Sequence, residues 1–101
     1  MNVLVIGGGG REHAICVSIS NSNLLDKLYC VPGNPGIENV ATCIEGDIMN
    51  NDFILDICKK NSIDFVIVGP EAPLTNGVVD ILNSEDIYVF GPDSKAAELE
   101  G

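Results

Sequence analysis

Short, unbroken apolar runs recur along the chain and are rich in β-branched and aromatic residues. Such runs are typical of strands that a sheet buries on both faces, because a strand with one face in water alternates apolar and polar positions. The clearest runs cover residues 3–6, 28–31, 65–68 and 87–90, and a weaker run predicts a short strand around residues 40–41. The pattern therefore predicts a sheet of four to five strands.

Segments with helical spacing of apolar residues separate these runs. In residues 52–60 the apolar side chains share one face, Asp52 is a suitable N-cap, and two lysines occupy the last turn, where cations favour the helix dipole. Further helices are predicted from residue 11 to about 21, near 76–84, and from 93 or 94 to the end. This alternation predicts an α/β fold, a Rossmann-like doubly wound parallel sheet with residues 3–6 at its centre.

Composition and charge narrow the classes of function. The 101 residues have a mean hydropathy of +0.25 and suffice for one folded domain. Asp and Glu outnumber Lys and Arg by 15 to 5, and the net charge of −10 argues against nucleic acid or an anionic membrane as the partner. No apolar run approaches the roughly 20 residues of a membrane-spanning helix, and residues 1–2 lack the basic start of a signal peptide.

The cysteines indicate a reducing compartment. There are four, with no CxxC pair and a single histidine, so a structural zinc site does not fit. Three lie within apolar patterns, where a free thiol behaves as a small hydrophobe. We therefore expect buried, reduced thiols, a cytoplasmic protein, and no metal bound by this chain.

A run of four glycines followed by Arg11 joins the first predicted strand to the first predicted helix. Backbone amides at a helix N-terminus bind anions, and a guanidinium fits phosphate. The P-loop pattern is absent, and Glu12 occupies the position where a dinucleotide-binding fingerprint needs its third glycine. The candidate ligand is therefore a phosphate monoester held by Gly8, Gly9, Gly10 and Arg11, and the alternative is a tight turn with a solvated arginine.

Two further loops follow predicted strands, at the edge where ligands of parallel sheets bind. Glu71 lies between prolines in a stiff turn and suits a pair of ribose hydroxyls, although a solvated loop acid or a helix cap is the alternative. Gly33 belongs to a Pro- and Gly-rich loop in which Asn34 either caps a turn or contacts the ligand. In the first predicted helix, we expect Glu12 to complement the dipole and His13 to have a packing or capping role.

Taken in order, these motifs resemble the N-terminal domain of the glycinamide ribonucleotide synthetase (phosphoribosylamine–glycine ligase) family, one of the ATP-grasp ligases. The resemblance spans essentially the whole chain. Its motifs are VLVIGGGGREHA at 3–14, PGNPG at 32–36, VGPEAPL at 68–74, FGP at 90–92 and AAELEG at 96–101.

The resemblance implies a function. Enzymes of this family phosphorylate glycine with ATP, and the amine of 5-phosphoribosylamine then attacks the acyl phosphate, in purine biosynthesis. The N domain would hold phosphoribosylamine, so Gly8, Gly9, Gly10, Arg11, Gly33, Asn34 and Glu71 are the expected substrate-binding residues. Residues 1–101 would form this substrate-binding domain of a monomer. ATP, Mg²⁺, glycine and the catalytic residues would belong to ATP-grasp and C-terminal domains absent from this chain, which we expect to be inactive alone.

Other classes remain open on the residues alone. One is the N domain of another ATP-grasp ligase, although the GREHA motif favours the glycine ligase. Another is a dinucleotide-binding oxidoreductase domain, which is weakened by Glu12 and by the lack of an acidic residue after Val31. A flavodoxin-like signalling module would need an acidic cluster at the strand ends, where this chain carries Gly, Pro and Arg11 instead.

Overall fold

A five-stranded, wholly parallel sheet with helices on both faces forms the domain. The computed structural model describes residues 1–91, and of Glu71 it describes only the backbone. The elements are β1 (Asn2–Gly7), α1 (Gly10–Ser20), β2 (Lys27–Pro32), β3 (Thr42–Cys43), α2 (Asn51–Lys60), β4 (Phe65–Val68), α3 (Glu71–Thr75), α4 (Val78–Asn83) and β5 (Tyr88–Phe90), with a 3₁₀ turn at Ile37–Asn39. The strand order β3-β2-β1-β4-β5 confirms the doubly wound sheet with β1 at its centre.

The central strand explains why the apolar runs are continuous. Leu4 and Ile6 contribute to the core on one face of the sheet, which α2 and α4 cover, and Val3 and Val5 contribute to the core on the other face with α1. All four side chains are fully buried. Burial of such a side chain contributes roughly 1.5–3 kcal/mol, so a polar residue anywhere along β1 would be costly.

The predicted N-cap of α2 is wrong by two residues. Asn50, not Asp52, caps the helix, and its side-chain oxygen accepts a hydrogen bond from the Phe53 amide at 3.1 Å. Asp52 lies in the first helical turn instead. There its carboxylate still complements the helix dipole, which is why the sequence pattern around both positions predicts a helix start.

The helix predicted near residues 76–84 is present as α4, and a separate short helix, α3, precedes it. Gly77 has φ +87° and separates α3 from α4. The stiff turn predicted around Glu71 is wrong, since residue 71 begins α3 directly after Pro70. Pro73 is compatible with this short helix because it lies in the first turn, where its missing N–H leaves no hydrogen bond unmade.

The short strand predicted at residues 40–41 lies two residues further along, at β3. The amides of Val40 and Ala41 both donate to the carbonyl of Ile37 at 2.9 Å, so the 3₁₀ turn uses them before the strand begins. The helix predicted from residue 93 or 94 lies outside the described residues. No helix within residues 1–91 is long and apolar enough to cross a membrane.

Candidate functional site

The glycine-rich loop lies at the carboxyl end of the central strand. Gly7 ends β1 with φ +134°, a conformation that L side chains rarely adopt, and α1 begins at Gly10. Amides in a first helical turn have no carbonyl within the helix to bind. Gly9 and Gly10 are exposed, and a Cβ added at Gly10 would meet no atom within 4 Å. The predicted strand–glycine–helix junction is therefore present.

Arg11 lies in the first turn of α1, after β1, and its side chain reaches the end of β4. Its Nη2 donates to the carbonyl of Gly69, and its Nε lies 3.5 Å from Oε2 of Glu12. The side chain is 56% exposed, so the guanidinium is tethered without being buried. A guanidinium has five N–H donors, and these two contacts leave it able to bind a further oxygen.

Glu12 is a member of this site that the sequence interpretation missed. It lies in the first turn of α1 as expected, but the residue is only 7% exposed. Its Oε1 accepts a hydrogen bond from the Gly9 amide at 3.0 Å. A Cβ at Gly7 or at Gly69 would come within 2.5–2.6 Å of its side-chain atoms. The carboxylate therefore lies between the ends of β1 and β4, and a side chain at either glycine would require Glu12 to move.

The loop after β2 packs against the glycine loop. The Gly33 amide donates to the carbonyl of Gly7 at 3.2 Å, and Asn34 Nδ2 donates to the carbonyl of Gly8 at 2.8 Å. The Asn34 side-chain oxygen accepts from the Ile37 amide at 2.9 Å and so starts the 3₁₀ turn. Both ends of the Asn34 amide are therefore used within the protein, which favours the capping interpretation of this residue.

Close contacts fix the separation of these two loops. A Cβ at Gly8 would lie 2.7 Å from the carbonyl oxygen of Gly33, and one at Gly33 would lie 2.3 Å from Sγ of Cys43. His13 packs against the same loop, since a Cβ at Gly36 would lie 2.9 Å from its Cε1. This contact agrees with the packing role expected for His13.

Glu71 follows β4 at the same edge of the sheet, where its backbone starts α3. Its side chain lies outside the described part of the structure, so its contact with a ribose stays a prediction. Gly91 ends the last strand at this edge. The topology thus brings the loops after β1, β2 and β4 together, as the parallel sheet predicts.

Thiols lie directly beneath the glycine loop. The Cys30 thiol donates to the carbonyl of Gly7 at 3.2 Å, and its pKa is raised, first by a hydrogen bond with the Cys16 thiol and then by burial. The same hydrogen bond lowers the pKa of Cys16. Burial raises the pKa of Cys43. All four cysteines are unpaired, and Cys16, Cys30 and Cys58 are buried.

A cavity of about 520 Å³ opens beyond the carboxyl ends of β2 and β3, beside the glycine loop. Its lining residues are Pro32, Gly33, Asn34, Pro35, Glu38, Cys43 and Glu45. A second cavity, of about 540 Å³, lies near Lys27, Tyr29 and Thr42, along β2 and β3 and away from Arg11. Within residues 1–91 no three His, Cys, Asp or Glu side chains converge as metal ligands would.

The sheet order and the loops at its carboxyl edge define a Rossmann-like α/β domain. Saccharopine dehydrogenase from Saccharomyces cerevisiae shares this fold, with a TM-score of 0.71 over 97% of this chain and 23% of that one, at 16% identity. A phosphoribosylamine–glycine ligase from Thermotoga maritima superposes with a TM-score of 0.56 over 71% of this chain and 16% of that one, at 22% identity. At such identities the two likenesses concern the fold alone, and fold does not imply function.

Sequence comparison is more specific. Residues 1–100 match the family described as phosphoribosylglycinamide synthetase, N domain, and the chain belongs to this family. The phosphoribosylamine–glycine ligase of Rhizobium meliloti is 50% identical over 101 residues, which are the whole of this chain and 24% of that protein. The chain therefore spans about a quarter of the length of such relatives. The family membership confirms the resemblance and disfavours the dinucleotide-binding oxidoreductase.

Proposed function

We propose that this domain binds 5-phosphoribosylamine for a ligase that joins the amine to glycine, giving glycinamide ribonucleotide, ADP and phosphate in purine biosynthesis. The relatives named phosphoribosylamine–glycine ligase support this reaction. The observation that carries the substrate role is the position of Arg11, whose guanidinium lies between the glycine loop and the end of β4. A phosphate there would meet both the guanidinium and the first amides of α1.

The phosphate is the anchor of the proposed complex. The protein carries a net charge of −10, so long-range electrostatics oppose a dianionic ester. Recognition then depends on local donors, and a charge-assisted hydrogen bond contributes about 1.5–3 kcal/mol. Arg11 and the backbone amides of Gly10 and Arg11 are the donors that the site offers, because the Gly9 amide already donates to Glu12. Gly8 and Gly9 would shape the loop around the phosphate. Gly33 and Asn34 would set the width of the site next to them.

The ribose and the other substrates complete the proposal. Glu71 would accept hydrogen bonds from the ribose hydroxyls, so that the ester is held at its two ends. We further propose that ATP, Mg²⁺ and glycine bind outside residues 1–101, in ATP-grasp and C-terminal domains, and that the parent enzyme is a cytoplasmic monomer. The role of this domain would therefore be to bind and orient the substrate: it would hold the phosphate and the ribose so that the amine faces the activated glycine.

Titration with ribose 5-phosphate, a stable ester with the same phosphate and sugar, tests the proposal on the 101-residue chain. Amide NMR signals of residues 8–11 should shift on binding, whereas those of α2 should not. Arg11→Ala should weaken binding of ribose 5-phosphate and of inorganic phosphate roughly tenfold or more. Glu71→Gln should weaken ribose 5-phosphate alone, because inorganic phosphate has no hydroxyl pair to offer it.

Lys60→Ala is the matched control for charge. Lys60 is an exposed cation on α2, paired with Asp56 at 3.1 Å, and its loss changes the net charge by the same single unit. Affinity should stay within about twofold of the wild-type value, since exposed pairs of this kind contribute little. The proposal is wrong if ribose 5-phosphate does not shift the amide NMR signals of residues 8–11, or if Lys60→Ala and Arg11→Ala weaken binding equally.

A further inference from the structure

We infer that Glu12 is a positioning residue for the phosphate site, which removes the Gly9 amide from the set of phosphate donors and orients Arg11. The inference rests on the proposed function. The Glu12 carboxylate has no hydrogen-bond donor, so it does not bind the phosphate itself. Its influence runs through the two groups that it holds.

The first group is the backbone of the glycine loop. Oε1 accepts the Gly9 amide at 3.0 Å, so that N–H points at the protein and not at the open edge. The phosphate is then left with the amides at the start of α1, those of Gly10 and Arg11, where the helix dipole also favours an anion. The glycine run thus divides into residues that shape the loop and residues that face the ligand.

The second group is the guanidinium. Oε2 lies 3.5 Å from Nε of Arg11, while Nη2 of the same group binds the Gly69 carbonyl. Two contacts on different nitrogens fix the plane of a guanidinium, and a planar fork binds phosphate best when its plane is fixed beforehand. An arginine with one contact would instead have to be ordered by the ligand, at a cost in conformational entropy.

Glu12 also caps α1, because it is the third residue of the helix and accepts the amide of the N-cap residue Gly9. A buried carboxylate is costly unless it is paired and hydrogen-bonded, and apolar residues of similar volume are often at least as stabilising. A Cβ at Gly7 or at Gly69 would also lie within 2.5–2.6 Å of the side-chain atoms of Glu12, so the space around that side chain is narrow. The carboxylate is therefore held in a narrow space in which it contacts both the Gly9 amide and Arg11.

A double-mutant cycle between Glu12 and Arg11 tests the inference with inorganic phosphate and ribose 5-phosphate as probes. Glu12→Gln keeps the volume of the side chain but offers one acceptor oxygen in place of two. That oxygen should keep the shorter bond, to the Gly9 amide at 3.0 Å, and lose the contact with Arg11 Nε at 3.5 Å. Arg11→Ala should cost tenfold or more in wild type, and less than about threefold in the Glu12→Gln background. Glu85→Gln, the matched loss of one carboxylate on the far side of the domain, should leave the full effect of Arg11→Ala.

A merely structural role would give a different result. If Glu12 only filled space, Glu12→Gln would retain the full effect of Arg11→Ala, and equal effects in the two backgrounds overturn the inference. Hydrogen exchange gives a second readout that needs no ligand: the Arg11 Nε–H should exchange at least tenfold faster in Glu12→Gln than in wild type. Should wild type bind neither probe, the proposed function fails, while this exchange measurement still decides whether Glu12 holds Arg11. Unchanged protection of the Arg11 Nε–H contradicts the inference.

Discussion

Replacing Gly8 by alanine should separate the two loops that frame the site. The added Cβ would lie 2.7 Å from the carbonyl oxygen of Gly33, closer than real Cβ contacts come, and that neighbour is backbone rather than a flexible side chain. The loops would therefore have to move apart by several tenths of an ångström. Gly10→Ala is the matched control, because an added Cβ there meets no atom within 4 Å and the residue starts a helix.

The contacts give the size of the effect. Overpacking of this kind costs about 1–3 kcal/mol. Separation also strains the hydrogen bond from Asn34 to the carbonyl of Gly8, which is 2.8 Å long and contributes about 1 kcal/mol. Lower entropy of the unfolded chain offsets roughly 0.4–1 kcal/mol in both variants. We expect Gly8→Ala to be destabilised by about 1–3 kcal/mol, and Gly10→Ala to be as stable as wild type or stabilised by up to about 1 kcal/mol.

Urea and thermal unfolding of the two variants, followed by circular dichroism, measure this difference. For a domain of about 100 residues, 1 kcal/mol corresponds to about 4–8 °C in Tm. Side-chain amide NMR signals of Asn34 should move in Gly8→Ala only. Equal stability of the two variants, or an unchanged Asn34 signal in Gly8→Ala, would refute the reasoning from the contact between the loops.

Two further predictions concern the scaffold. Asn50→Ala should lower the free energy of unfolding by about 1 kcal/mol, because it removes the acceptor of the Phe53 amide. Asp52→Ala should lower it by less than half as much. If urea unfolding shows the larger loss for Asp52→Ala, Asp52 is the cap. Burial raises the pKa of Cys58 to about 12, above the value of about 8.5 in an unfolded chain. The buried thiol therefore contributes its full stability below about pH 8.5. That contribution is lost as the pH rises towards 12, at up to roughly 1.4 kcal/mol per pH unit. Unfolding between about pH 7 and pH 10 should therefore show a shallower loss of stability in Cys58→Ala than in wild type, and identical slopes would contradict the assignment.

The sheet could be predicted from the sequence because its strands are buried on both faces. A continuous apolar run such as residues 3–6 has few alternatives once glycine ends it, and four such runs alternating with helices leave a parallel sheet as the natural arrangement. Boundaries were less predictable where several residues suit one role. Asn50, Asn51 and Asp52 are all good caps by type, and the choice among them depends on where the chain enters the helix.

Glu12 shows what local pattern cannot reveal. A glutamate in a first helical turn looks the same in sequence whether it faces water or the core, and the dipole argument holds for both. Its burial depends on Gly69, which is distant in sequence and adjacent in space because β1 pairs with β4. The only signal in the sequence is indirect: glycine ends both neighbouring strands, and a shared reason for that is a side chain between them.

Separating the residues that frame the site from those that would touch the ligand changes what mutations should do. Gly8, Gly33 and Asn34 make close contacts and hydrogen bonds with each other and with Gly7. Substitutions among them should therefore lower stability and phosphate affinity together, because the same contact carries both. Arg11 is more than half exposed, its contact with Glu12 is 3.5 Å long, and the Gly9 amide still donates to that carboxylate without it. Arg11→Ala should therefore lower phosphate affinity by more than it lowers the free energy of unfolding. Measuring both quantities on each variant would distinguish frame from ligand contact, and a large loss of stability in Arg11→Ala would place that residue in the frame instead.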